Sequence, residues 1–572
     1  MKSRLRPKQN NTLESYLAQP MDFDIDLDAV SLKVMNRRQF LTLCTGSMLA
    51  GMLAACQGSP TMESNATPHP SQQPSPIRQP SPTRPPSLTE TNWSELARSL
   101  RGTLIRPTSP DYSAARQLFN RRFDVVHPAA IAYCASPTDV QTCIAFAQRF
   151  GLPLVPRAGG HSYAGYSTTT GMVVDVSRMN AVTMNVGTGT AIVEAGSRLI
   201  DVYATLAPYG LVLPAGTCPT LGIAGMTLGG GVGVLGRKLG LACDNLLAAQ
   251  IVVADGRVLT CDVEHNPDLF WALRGGGGGN FGVVTSFTFH VHPVASLSLC
   301  TLNWPWGNAA DVLDAWQSWA PQAPDELWSS CWLQATSDKS SDPVVQVNGV
   351  YIGDAASLDS LLESLTNRIG VAPTRRYVSE AGLLETMLYE ANCEGLTVGQ
   401  CHLPSQDPNG QLERSTFRSK SDYFTRTLPR QGIAALVNAI TACQTSPTLG
   451  LGGIGIDAFG GAINRVAADA TAFVHRNALF SIQYAATWNA NDPASIAEEN
   501  HRWLLGMWQA MRPYASGAAY QNYIDPDLAD WQQAYYGANL PRLQQVKTAY
   551  DASDFFHFAQ SIPALPTGNI RF

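Results

Sequence analysis

Apolar and polar positions alternate along this chain in two distinct rhythms. In TDVQTCIAFAQRFG (138–151) the apolar residues recur at helical spacing and the run stops at a glycine, which predicts a helix. LPLVPR (152–157) then reads as a strand, as do GMVVDVSRM (171–179) and TAIVEAG (190–196). RLIDVYATLAPYG (198–210) reads as a second glycine-ended helix. Such alternation over residues 93–294 predicts an α/β or α+β layer structure. From 295 to about 500 the glycine loops thin out, and amphipathic helices alternate with strands such as VVQVNGVYIG (344–353) and LFSIQYAATW (479–488). This predicts a second domain, 295–500, with a largely antiparallel sheet. The last stretch, 501–572, is expected to return to the first domain.

The pattern differs at the N-terminus. RRQFLTLCTGSMLAGMLAAC (37–56) is the only long apolar run. Arg37 and Arg38 precede Phe40 and Leu41, which resembles a twin-arginine export signal. Leu53, Ala54, Ala55 and Cys56 resemble a lipoprotein cleavage box, with Cys56 as the lipid-bearing first residue of the mature chain. The alternative is an uncleaved anchor helix, although the run is short for a bilayer span of ~20 residues. Residues 1–56 are therefore expected to be a signal. Residues 57–92, rich in Pro, Ser, Thr and Gln, cannot bury enough apolar surface to order themselves and read as an extended linker. The expected location is the cell envelope, lipid-anchored to the outer side of the cytoplasmic membrane.

With 572 residues, 45% hydrophobic and 15% charged, the chain can bury large cores. A net charge of −6 argues against a nucleic-acid partner. Of 12 cysteines, Cys44 and Cys56 fall in the signal. The others form no C-x-x-C pair and no His cluster at zinc spacing, so no metal site is expected. An oxidising envelope allows some to pair; the sequence leaves the pairing open.

Three segments are dense in glycine: PRAGGHSYAG (156–165), PAGTCPTLGIAGMTLGGGVGVLGRKLGLACDN (214–245) and WALRGGGGGNFGVVTSF (271–287). Glycine lets a ligand approach the backbone, and small-residue turns present N–H groups to phosphate oxygens. None fits strand–GxGxxG–helix with an acidic residue about 20 positions on, and none fits GxxxxGK[ST], which disfavours a Rossmann domain or a P-loop NTPase. Tight turns and close packing are the plain alternative for any one of them.

Arg157–Ala158–Gly159–Gly160–His161–Ser162, Cys218–Pro219–Thr220–Leu221–Gly222, Gly229–Gly230–Gly231 and the run Gly275 to Gly282 occur in the order found in berberine-bridge-enzyme-like oxidoreductases. YQNYID and YYGANLPRL…VKTAYD resemble that family's terminal segment, so the resemblance covers about residues 93–572. It implies an α+β fold: a two-subdomain PCMH-type FAD-binding domain, a substrate domain with a largely antiparallel sheet covered by helices, and a C-terminal segment returning to the FAD domain. It implies FAD bound covalently through His161, with a second bond from Cys218. Arg157, Ala158, Gly159, Gly160, Ser162 and Gly165 of the first loop would complete the cofactor site. So would Leu221, Gly222, Gly225, Met226, Gly229 and Gly231 of the second, and Gly282 and Val284 of the third. Ring attachments raise a flavin's potential toward oxidising a poor hydride donor.

Oxidising an alcohol also needs a base within about 2.6–3.2 Å of the hydroxyl. The resemblance places Tyr523 of YQNYID in that role, with Tyr520 as fallback, and Gln483 on a strand roofing the flavin. Ser481, two residues back, would face the same way. Some relatives carry a charged residue at that position, so the charge assisting the tyrosine is expected to be missing. The expected activity is oxidation of a sugar, oligosaccharide or natural-product hydroxyl, with O2 or another electron acceptor. Leucine at 221 points to poor oxygen use, because a larger side chain there accompanies it in the family. Flavin-dependent C–C bond formation and a non-catalytic ligand-binding lipoprotein are the alternatives.

Overall fold

The computed structural model describes residues 86–566. The expected signal, Cys56 and most of the expected linker lie outside them. Order begins sooner than the linker composition suggests. Glu90–Ser99 is a helix capped by a reciprocal pair, Thr89 and Asn92, and it buries Trp93 and Leu96. Two apolar side chains at helical spacing outweigh their polar surroundings.

The first half holds two larger sheets and a two-stranded pair, Leu211–Val212 with His292–Pro293. In one, Ala130–Tyr133 and Leu154–Arg157 both run parallel to Met172–Asp175, which lies between them, while Thr103–Ile105 pairs antiparallel at the edge. The helix Pro137–Phe150 makes the crossover. Ser136 caps its start, proline fills the first turn, and Gly151 ends it at φ 63°, a left-handed conformation that glycine adopts without a Cβ penalty. The chain then enters Leu154–Arg157, and the strand delivers the His161 loop. The other sheet is antiparallel, ordered Val182–Asn185, Thr190–Glu194, Val283–His290, Leu246–Val252, Val258–Cys261. The long glycine-rich segment is not all loop, since it contains the helix Ile223–Leu228.

The second half is one seven-stranded antiparallel sheet. Its order is Arg375–Ala381, Leu297–Trp304, Val344–Ile352, Leu327–Gln334, Leu451–Ala458, Phe480–Thr487, Phe417–Phe424. Successive side chains point to opposite faces of a strand. Ile454, Ile456, Ile482 and Tyr484 therefore join Trp316, Leu358, Leu436 and Leu504 of the covering helices in one core. Gly453, Gly455, Asp457, Gln483 and Ala485 fall on the other face and roof a cavity. The covering helix Ala494–Met511 runs across the expected boundary at 500, and its Met507 and Met511 belong to the sheet's core. The apolar face of that helix, not the change in composition, sets where the unit ends.

The C-terminal segment packs against the glycine loops of the first half. Fully buried Lys547 donates to the carbonyls of Asn280 and Phe556 and to the Asp551 carboxylate, the pairing a buried charge requires. Tyr536 donates to the Gly276 carbonyl, and Asn522 to that of Met226. The result is an α+β architecture in which a roof sheet and a C-terminal strap face three glycine-rich loops.

Candidate active site

A cavity of about 370 Å³ lies between the loops and the roof sheet. Its floor is built by close backbone contact. A Cβ on Gly159 would sit 2.2 Å from the Gly222 nitrogen, so the first and second loops touch only because both residues are glycine. At Gly225 a Cβ would meet no atom within 4 Å. It would project into open space at the cavity wall, where bare backbone is exposed to a ligand instead.

His161 lies in this floor. Its ring stacks on Phe119, with centroids 4.2 Å apart, and Nε2 is 2.9 Å from the Thr220 hydroxyl. Burial, reinforced by the Arg198 charge, lowers its pKa to about 3, so the imidazole is neutral at physiological pH. Cys218 approaches the same hydroxyl, its Sγ 3.8 Å from Thr220 Oγ1. A neutral imidazole and a thiol thus meet at one hydroxyl on the cavity wall. Ala158, Gly160, Ser162, Leu221, Met226, Gly282 and Val284 also line the cavity. So does Ser167, whose buried hydroxyl has no hydrogen-bond partner within the protein. Open backbone, an unsatisfied hydroxyl and two nucleophilic side chains fit an extended flavin dinucleotide.

Four of the expected cofactor residues also make contacts within the protein. Arg157 borders the cavity, but its guanidinium is buried in the wall, 2.5 Å from Asp175 and donating to the Ala115 carbonyl. Asp175 and the Ala115 carbonyl take two of its nitrogens, while Nη1 is buried with no hydrogen-bond partner within the protein. Gly165, Gly229 and Gly231 are not on the cavity surface. A Cβ at Gly165 would strike the Phe123 ring and one at Gly229 the Asn522 amide, while the Gly231 N–H donates to Tyr520. Their glycines serve packing between loops.

The expected catalytic residues Tyr523, Tyr520 and Gln483 all line the cavity. Tyr523 stacks on Tyr163 at 5.4 Å and 14°, and Gln483 Nε2 donates to the Tyr163 hydroxyl at 3.2 Å. Tyr523, Tyr163 and Gln483 therefore form one contiguous wall. Tyr520 packs edge-on against Tyr523, with ring centroids 5.0 Å apart. Its hydroxyl accepts from the backbone of Gly231 and Val232, and burial pushes its pKa up to about 12 despite those donors. It is a clasp on the second glycine loop.

An acidic residue lies beside Ser481 on the neighbouring strand. Asp457 pairs with Ser481 in the register of the neighbouring strand, and it lines the cavity. Directly opposed residues on one sheet face have Cβ atoms about 4.5–5.5 Å apart, so Asp457 presents its carboxyl group on the face that Ser481 shares. Alternation in LGGIGIDAF offered a signal, since Gly453, Gly455 and Asp457 share a face. Nothing local said which face, or which strand lay alongside. Trp332 is a second residue that sequence reasoning missed. Its ring occupies the space over Gly455, where a Cβ would fall 2.6 Å from the indole, and its Nε1 donates to Ser330.

Comparison with known proteins places these features in context. A family model described as FAD binding domain matches residues 128–262, and one described as berberine and berberine like matches 519–563. The FAD-linked oxidoreductase YgaK of Bacillus subtilis (strain 168) is 33% identical over 473 residues, spanning 82% of this chain and 98% of that protein. The structure of Physcomitrella patens BBE-like 1 superposes with a TM-score of 0.75 at 34% identity, covering 83% of this chain and 99% of that one. A chitooligosaccharide oxidase superposes with a TM-score of 0.73 at 26% identity, covering 83% and 100%.

Proposed function

Since the chain belongs to the berberine-bridge-enzyme-like FAD-linked oxidoreductases, we propose that it oxidises an alcohol, of the sugar, oligosaccharide or natural-product class, with FAD tethered covalently through His161 and Cys218. The bound flavin supplies a two-electron acceptor. The chain's own residues supply the rest. Tyr523 takes the hydroxyl proton, and Asp457 and Gln483 hold the hydroxyl toward it. Trp332 presents an aromatic plate on which a sugar or aryl ring rests. The observation that carries this reading is the joining of Tyr523, Tyr163 and Gln483 into one wall beside Asp457, above a floor bearing His161 and Cys218.

Leucine at 221 supports a dehydrogenase that passes electrons to an acceptor other than O2. The proposed setting is the cell envelope, with a lipid on Cys56 holding the protein to the membrane. Support comes from the N-terminal motifs and from a disulfide, Cys393–Cys401, of the kind that forms in oxidising compartments. Among the described residues no helix is long and apolar enough to cross a membrane.

The test is direct. The purified protein is precipitated with acid, and the pellet is examined for flavin absorbance. The soluble enzyme is then screened with a redox dye against neutral mono- and oligosaccharides and aryl alcohols. A yellow pellet and dye reduction by one of these classes are expected. A colourless protein that binds such a compound without dye reduction would make it a binding protein instead.

A further inference from the structure

The connection between the helix Leu383–Glu390 and the strand Phe417–Phe424 is a run of turns far longer than the usual ~4–6 residues. It leaves the roof sheet and docks on the other half of the molecule. Gln406 donates to the Thr220 carbonyl at 3.2 Å, and His402 Nε2 lies 3.2 Å from the Asp201 carboxylate. Leu403 and Leu412 pack with Phe119, Ile200 and Phe417. The connection thus touches the residue that His161 and Cys218 both approach, and Phe119, on which His161 stacks.

Its first turn forms part of the cavity. Glu390, Ala391 and Asn392 line the wall, as does Leu412 at the far end. Asn392 has φ +56°, the left-handed cap that ends the preceding helix, where the Cys393 N–H donates to the Leu388 carbonyl and the Asn392 N–H to that of Tyr389. The disulfide follows it directly in sequence. Cys393 is joined to Cys401 across a separation of 8 residues, with both cysteines fully buried. A cross-link of this kind acts by removing open conformations from a loop that has little secondary structure of its own.

We propose that formation of the Cys393–Cys401 disulfide completes the substrate side of the cavity, so that the site matures only after the chain enters an oxidising compartment. The inference rests on the reading of this cavity as the flavin and substrate site. The chemistry is thiol–disulfide exchange. One cysteine thiolate displaces a thiol from a small-molecule or protein disulfide, and the second cysteine then displaces the other. Two cysteine thiols are oxidised, the donor disulfide becomes two thiols, and two protons stay with them. Before that step the first turn is held only by its hydrogen bonds and the apolar cluster, and the wall at Asn392 is loose. An enzyme loaded with flavin before export would therefore acquire its finished pocket outside.

Wild-type protein is made in a reducing cytoplasm, then compared before and after treatment with oxidised glutathione, alongside Cys393→Ser/Cys401→Ser. Two readouts are used after desalting. Hydrogen exchange follows residues 391–413, with the strand Leu451–Ala458 as internal control. Sulfite, a small anion that adds to oxidised flavin, probes the openness of the cavity through bleaching of the visible band. Oxidation is expected to slow exchange in 391–413 and sulfite bleaching at least tenfold each, with no change in the control strand, and the double variant should stay in the fast state. Equal bleaching rates before and after oxidation would overturn the proposal, as would free thiols at both positions in oxidised protein by alkylation and mass spectrometry. Protein lacking flavin altogether would refute the flavoenzyme reading instead. The exchange arm would still report on the clasp, and unchanged exchange there would refute it.

Discussion

The Thr220 hydroxyl lies 2.9 Å from Nε2 of His161, and Cys218 Sγ is 3.8 Å from the same oxygen. One side chain therefore sets the spacing of the two groups proposed to tether the flavin. His161→Ala should leave flavin attached through Cys218 alone, and the double variant with Cys218→Ala should retain none after acid precipitation. Flavin still in the pellet of the double variant would remove both residues from this role.

Tyr523 meets the cavity from the C-terminal strap and Asp457 from the roof sheet. Loss of a positioned base typically costs about 10²–10⁴-fold in rate. Tyr523→Phe is expected to slow reduction of bound flavin by that order while leaving the flavin spectrum intact. Asp457→Asn should slow it as well and shift the pH profile of the reduction rate. Stopped-flow reduction over a pH series is the measurement. A wild-type rate in Tyr523→Phe would reassign the base to Asp457.

Acid should destabilise the fold through its buried histidines. Burial holds His161 and His475 at about 3 and His292 at about 4, assisted by Arg198, Arg476 and His290 respectively. An unfolded histidine takes a proton below about 6.5. Between that pH and the folded values the unfolded chain binds more protons, so stability falls as pH drops from about 6.5 toward 3. Asp422 acts in the opposite sense. Burial outweighs the Arg512 guanidinium and raises its pKa to about 7, so its contribution declines as pH rises from about 4 to 7. Thermal melts across this range should show a shallower acid loss in His475→Gln. Identical slopes in variant and wild type would exclude His475 as a source.

Leu221 lines the cavity, and its amide donates to the Cys218 carbonyl. One methylene there is proposed to restrict oxygen at the flavin. After reduction by substrate, air-saturated buffer should reoxidise the wild type slowly and Leu221→Val faster. Fast reoxidation in both would return the enzyme to the oxidases that release hydrogen peroxide.

What the sequence determined by itself is local. The helix at Pro137–Phe150 follows from 3.6-residue periodicity, a serine cap and a terminal glycine, all within one short segment. The glycine loops were legible because glycine alone tolerates the close approach of Gly159 to Gly222. Motif order carried His161, Cys218, Gln483 and Tyr523, and all four line one cavity. Tertiary structure alone decided the rest. Asp457 faces the cavity opposite Ser481 because two strands pair in a particular register, and a shift of one residue would turn both to the other face. Arg157 was expected at the cofactor, and the ion pair it makes with Asp175, 18 residues away in sequence but directly opposite in the sheet, appears only in the fold. Tyr520 and Tyr523 are nearly interchangeable in sequence. In the fold one hydroxyl meets the backbone of a distant loop and the other ring stacks on Tyr163. The pairing of Cys393 with Cys401 likewise depends on the Cα separation of 5.8 Å that folding imposes. Contacts between residues far apart in the chain are set by register and packing, which no local pattern encodes.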